Sequence, residues 1–196
     1  MAHTAQPPRR RNAQRTRAAI LAAATEVLMS QRSSVAMHEI ARIAGVGQAT
    51  LYRHFRDRYT LAAAVVRHHM DLLKQVIADG FEQPEAFRSL MYVVLQCQIS
   101  MRPLVRLLRK GDPGTRDRYL RQLVAVLAEP LERARVAGYV RADCVPTDLA
   151  LVFAMVEGAM ESAADPEAGY AAARRCIDLI LDGMFTDPKR ASPGSH

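Results

Sequence analysis

The sequence predicts an all-α fold, with a small three-helix part at the N-terminus and a larger helical part after it. Three observations carry this. Ala, Leu, Arg and Glu dominate while β-branched residues do not alternate with polar ones. Apolar residues recur at helical spacing, and Gly and Pro cut the chain into helix-length pieces.

Asn12 can cap a first helix whose buried stripe is Ile20, Leu21, Ala24, Val27 and Leu28, ending near Ser30. A short helix over 37–44 turns Met37, Ile40, Ala41 and Ala44 inward. Gly45 then stands where the chain must turn through positive φ, and a second short helix over 48–54 buries Leu51 beside Phe55. Asp57 is a cap for a long helix with two adjacent apolar stripes, one of them Leu61, Val65, His69, Leu72 and Val76. Beyond Gly80, breaks at Pro84, Pro103, Gly111 to Gly114, Gly138, Pro146 and Pro166 predict helices over 84–100, 103–110, 115–137, 147–163 and 167–184. Pro130 is expected to kink the third of these.

Of the 196 residues, 49% are hydrophobic, enough to build a real core and to exclude disorder of the whole chain. Charged residues interrupt every apolar run short of the roughly 18 residues needed to span a bilayer. The N-terminal arginines lead into no apolar stretch, so no secretory signal and no membrane are expected, and the cytoplasm is the expected location. Cys97, Cys144 and Cys176 are odd in number and lack metal-ligand spacing, which argues for reduced thiols packed as small apolar residues; Cys97 is the one that could line a cavity or meet oxidants.

The net charge of +7 lies wholly in residues 1–60, where ten arginines face three acidic residues; the remaining 17 basic and 17 acidic residues cancel. Charge concentrated in one segment points to a polyanion partner, of which nucleic acid is the commonest. Within that segment, Met37 to Phe55 reads as a short helix, a glycine turn and a second short helix, the pattern of a helix-turn-helix. In such a unit the second helix enters the major groove of duplex DNA.

Ile40-Ala41, Ala44-Gly45-Val46, Thr50-Leu51-Tyr52, His54-Phe55 and the run Phe55, Asp57, Arg58, Leu61 closely resemble the tetracycline-repressor (TetR) family of transcriptional regulators. The resemblance is specific over residues 12–75 and looser beyond. Gly47 and Ala36 stand where the family usually has a Ser or Thr cap, Arg58 where it has lysine, and Tyr59 where it has an acidic residue. Two prolines and three consecutive arginines predict a flexible basic arm (1–11), and the last residues read as a disordered tail (186–196); between them the resemblance implies a helix-turn-helix DNA-binding domain (12–57) and a helical ligand-binding and dimerisation domain (58–185). Carried over by position, Gln48, His38 and Ala49 would face bases, and Thr50, Tyr52, His54 and Arg58 would hold phosphates. Glutamine can pair bidentately with adenine, and a tyrosine hydroxyl suits a phosphate oxygen. Arg9, Arg10 and Arg11 could reach a minor groove as an arm or serve as a solubility tail.

The resemblance further implies a homodimer on a palindromic double-stranded operator, acting as a repressor released by a small-molecule effector; an activator or a sequence-tolerant DNA-binding protein of the same fold stays open. The expected dimer interface is Leu149, Val152, Val156, Ala159 and Met160 on one helix with Ile177, Ile180, Leu181 and Met184 on the next. Candidates for the effector pocket are Phe87, Met91, Tyr92, Leu95, Met101, Tyr119, Leu123, Phe153 and Met155, a mixture suited to a mostly apolar molecule. No enzyme, cofactor or metal is expected. His68 and His69 point about 100° apart on a helix, and Gly45-Val46-Gly47 lacks the strand, glycine and lysine of a phosphate loop.

Overall fold

The computed structural model describes residues 8–29, 36–80, 83–111 and 114–186. The helices are α1 (Pro8–Met29), α2 (Met37–Ile43), α3 (Gln48–His54), α4 (Arg58–Gly80), α5 (Phe87–Gly111), α6 (Thr115–Val136), α7 (Pro146–Glu161) and α8 (Pro166–Met184), with a 3₁₀ turn at Pro84–Ala86. The chain divides into two compact units, residues 1–70 with 101–113, and residues 71–100 with 114–196. The first unit is thus wider than the expected 12–57, because α4 buries Leu61, Ala62, Ala64, Val65, Val66 and Met70 as far as its midpoint. Leu72 and Val76, placed by periodicity on the same buried stripe, stand exposed.

The basic stretch expected as an arm is partly helical. α1 begins at Pro8, four residues before Asn12, so the backbone of Arg9, Arg10 and Arg11 lies within it. Proline is well suited to a first helical turn, where its missing N–H has no intrahelical acceptor. Residues 1–7 and 187–196 lie outside the description, as do most of the expected tail and the loop after α1. Thr186 is held: its N–H donates to Tyr139 O at 2.9 Å and its hydroxyl to Gly138 O at 2.6 Å.

The break expected at Pro103 does not occur: α5 runs through it, and α6 stays helical through Pro130, where the sequence places a kink within one helix. A proline within a helix removes one backbone bond and crowds the preceding turn, and here the burial of Leu104 and Leu108 beyond Pro103, and of Leu131 and Ala134 beyond Pro130, outweighs that penalty. Helix ends elsewhere follow the local chemistry. Asp165 Oδ1 accepts the Ala168 N–H at 2.9 Å at the start of α8, and Asp148 Oδ2 accepts the Val145 N–H at 2.9 Å at the start of α7. At the end of α6, Gly138 takes φ 78° so that its own N–H and that of Tyr139 return to Arg135 O and Ala134 O.

The second unit packs α5 to α8 around Phe87, Met91, Leu95, Leu127, Phe153, Val156 and Ile177. α7 and α8 approach so closely at Gly169 that a Cβ there would lie 2.7 Å from Met160 O. Seven residues expected at a dimer interface, Leu149, Val152, Val156, Met160, Ile177, Leu181 and Met184, are buried within this unit, while Ala159 and Ile180 are half-buried. The outward row of α7 is Thr147, Ala150, Leu151, Ala154, Met155 and Gly158, beside Leu179 and Gly183 of α8.

Candidate nucleic-acid interface

α2 ends and α3 begins through a turn set by one glycine. Gly45 has φ 65°; its N–H reaches Arg42 O at 3.2 Å and the Val46 N–H reaches Ala41 O at 3.0 Å. Both bonds satisfy carbonyls that the end of α2 would leave open, and the pair fixes the direction in which the chain re-enters a helix. Ile40 and Ala41 of α2 are buried, as is Leu51, the single buried side chain of α3. Phe55 closes α3, buried, with its N–H on Leu51 O at 2.8 Å. Neither Ala36 nor Gly47 supplies a side-chain cap, in keeping with the two positions where the sequence departs from its expected capping residues.

This anchoring turns the rest of α3 outward. Gln48, Ala49 and Arg53 are exposed, Tyr52 is 49% exposed despite its size, and Thr50 and His54 are half-buried. His38 on α2 is exposed too, so every side chain expected to meet a base is at the surface of this unit. The exposed tyrosine is informative, because an aromatic ring is otherwise among the side chains with most to gain from burial.

The surroundings are cationic. Arg15, Arg17, Arg42, Arg53, Arg56 and Arg58 are exposed. Among the described residues, Arg56 meets Asp57 at 3.1 Å and no carboxylate lies within ion-pair distance of the other five. Two of them are held by aromatic rings: Arg17 lies 4.7 Å from the centre of Phe55, and Arg58 lies 5.1 Å from that of Tyr59 while donating to its hydroxyl at 3.1 Å. Tyr59, the departure from an acidic residue, therefore orients a guanidinium that a carboxylate would neutralise. Asp57 caps α4 by accepting the Thr60 N–H at 2.7 Å; this bond, with the Thr60 hydroxyl and Arg56, holds its carboxyl below the usual aspartate range. The side chains of Arg9, Arg10 and Arg11 lie outside the description. His69 is half-buried with Nε2 3.5 Å from the Thr25 hydroxyl; burial first, and neighbouring His68 second, lower its pKa.

In the second unit, five effector-pocket candidates, Phe87, Met91, Leu95, Leu123 and Phe153, are buried core. Tyr92 and Met155 are 45% and 54% exposed, and Met101 belongs to the first unit, so these three do not join them. Tyr119 is half-buried, its hydroxyl pushed well above its ordinary range by burial and then by Cys97. Sequence reasoning did not find two polar contacts between helices of this unit. Gln98 donates from Nε2 to Phe153 O at 2.8 Å, and Arg116 pairs with Glu157. A surface groove of about 320 Å³ is lined in part by Arg141, Cys144, Met155 and Leu179.

Among the described residues, no helix is long and apolar enough to cross a membrane. Residues 20–65 match the sequence profile of "Bacterial regulatory proteins, tetR family". A curated HTH-type transcriptional regulator of Staphylococcus aureus is 29% identical over 83 residues, 40% of this chain and 45% of the relative, so the match spans less than half of that protein. Among solved structures, a TetR transcriptional regulator from Streptomyces coelicolor is 29% identical with a TM-score of 0.66, covering 86% of this chain and 98% of that one. A TetR transcription regulatory protein from Mycobacterium vanbaalenii is 29% identical with a TM-score of 0.65, covering 91% and 100%. The helix-turn-helix geometry, the profile match over residues 20–65 and these two solved structures make the chain similar to the tetR family of bacterial regulatory proteins.

Proposed function

We propose that the chain is a homodimeric, ligand-responsive repressor that binds a palindromic operator through α3. The observation that carries this reading is the outward face of that helix: Gln48, Ala49, Tyr52 and Arg53 stand in solvent on a helix anchored by Leu51 alone, amid five arginines that have no carboxylate partner among the described residues. Gln48 reads adenine, the Ala49 methyl meets a thymine methyl, and His38 reaches a neighbouring base edge. Thr50, Tyr52, His54 and Arg58 hold phosphates and fix register.

Dimerisation uses the outward face of α7 and α8. Leu151, Met155 and Leu179 are each more than half exposed, and Ala150, Ala154 and Gly158 lie along the same row of α7. An added Cβ at Gly158 would meet nothing within 4 Å, so this row offers a second copy of the chain a close helix approach. Two recognition helices then enter successive major grooves, with half-sites about 34–36 Å apart. α4 and α5 each run through both units, and an effector that favours a different position of these helices changes the spacing of the reading heads.

Gln48→Ala and Tyr52→Ala test the reading on a duplex selected by the parent protein. Gln48→Ala should lose roughly 1–3 kcal/mol of discrimination at one base pair. Tyr52→Ala should weaken binding evenly across sequences. Parent-like affinity and preference in both variants would overturn the assignment.

A further inference from the structure

α3 carries one arginine, Arg53, and its side chain is exposed. The neighbouring cations are differently engaged: Arg56 is paired with Asp57, while Arg17 and Arg58 lie against the rings of Phe55 and Tyr59. Arg53 instead bends back along its own helix, its Nε donating to Ala49 O at 3.3 Å. Ala49 lies one turn earlier on the same face, and its methyl side chain leaves that path open.

That bond decides two things. A helical side chain already leans toward the N-terminus of its helix, and the bond keeps the guanidinium over the turn that holds Gln48 and Ala49, away from His54 at the other end of α3. In a helix-turn-helix, the first part of the second helix is what meets base edges. The bond also uses one of the group's five N–H donors and leaves the edge formed by Nη1 and Nη2. Among the described residues, no hydrogen bond or carboxylate engages that edge. Two parallel N–H groups in one plane match a pair of acceptors in one plane. In the major groove guanine presents such a pair, O6 and N7, whereas adenine puts a donor in place of one of them.

We propose that Arg53 is a specificity-determining residue that reads one guanine in each half-site, donating from Nη1 and Nη2 to O6 and N7. The guanine adjoins the base pair that Ala49 meets, because the guanidinium lies beside that residue. The Nε bond orients a long side chain before DNA arrives, so less rotamer freedom is lost on contact. The competing role for an exposed arginine on this helix is a phosphate contact, which adds affinity without sequence preference. This inference rests on the reading of α3 as the DNA-contacting helix and adds guanine to the bases assigned there.

The test uses the full chain and a duplex that it selects from random sequence. Each base pair of the selected half-site is changed in turn, and fluorescence anisotropy compares the parent with Arg53→Met. The parent should prefer guanine at one position by roughly 5- to 150-fold, and Arg53→Met should lose that preference while keeping those at the other positions. Replacing the same guanine by 7-deazaguanine, which lacks the N7 acceptor, should weaken binding of the parent and leave Arg53→Met unaffected. Because Arg53 is exposed, the variant should unfold with the parent in a thermal melt. An even loss across all sequences, with the salt slope lowered by about 0.9 per protomer, would overturn the proposal in favour of a phosphate contact. A 7-deazaguanine penalty that persists in Arg53→Met would overturn it too, by assigning the guanine to another residue. Both of those outcomes leave the operator reading intact, whereas a parent that selects no sequence refutes that reading and this assignment together.

Discussion

Leu51 and Tyr52 are consecutive residues of a seven-residue helix, and truncating them should have opposite consequences. Leu51 is fully buried and is the only buried side chain of α3, whereas Tyr52 is 49% exposed. Leu51→Ala removes three heavy side-chain atoms from a closed site; large-to-small changes of this kind cost about 2–5 kcal/mol. A helix of two turns has little stability of its own, so that loss should fall first on the mooring of α3 to α2. Tyr52→Phe removes one exposed oxygen, and surface changes of this size usually stay within about 0.5 kcal/mol of the parent. On DNA the order of severity follows different physics. Loss of a hydroxyl bonded to a charged phosphate should weaken operator binding by about 1.5–3 kcal/mol, or roughly 10- to 150-fold, with base preference unchanged. Urea unfolding, amide exchange of residues 48–54 and fluorescence anisotropy on labelled duplex report the three quantities. Normal exchange protection of α3 in Leu51→Ala would refute the anchoring argument. Parent-like DNA affinity in Tyr52→Phe would refute the phosphate role.

Three further outcomes follow from the same structure. Gly169→Ala places a Cβ 2.7 Å from the Met160 carbonyl, so α7 and α8 must separate; thermal unfolding should show a loss of about 1–3 kcal/mol. The depressed pKa of Asp57 means that its cap contributes stability above the unfolded value near 3.8 and loses it as pH falls through the lower folded value. Asp57→Asn should therefore flatten that part of the acid-unfolding curve, measured by far-UV circular dichroism. Leu151→Glu puts a charge on the outward row of α7 without touching the core, and sedimentation should show a dimer for the parent, as proposed, and a folded monomer for the variant.

The helix-turn-helix was legible because its signals are local. Ile40, Gly45, Leu51 and Phe55 lie within sixteen residues, and the spacing of apolar positions about one glycine determines which side chains turn inward. Asp57 as a cap and the charge asymmetry were legible for the same reason. α7 was harder because it is apolar on both sides: Leu149, Val152 and Val156 face the core, while Leu151 and Met155 face out. Periodicity finds a stripe only where the opposite face is polar, so it could not say which row was internal. Pro103 misled for a related reason, since the burial that carries a helix through a proline depends on neighbouring helices. The two polar contacts of the second unit left no local trace. Gln98 and Phe153 are 55 residues apart in sequence, and Arg116 and Glu157 are 41 apart.

The central claim is that α3 reads a specific sequence as one half of a symmetric pair. Selection of random duplex DNA by the full chain at about 150 mM salt, a condition that suppresses purely electrostatic binding, tests it most directly. The account predicts an enriched palindrome with half-site centres about 10–10.5 base pairs apart and a preference of roughly 10³ or more over random duplex. A steep salt dependence with no enriched sequence, from a protein shown to be folded, dimeric and free of bound small molecules, would contradict it.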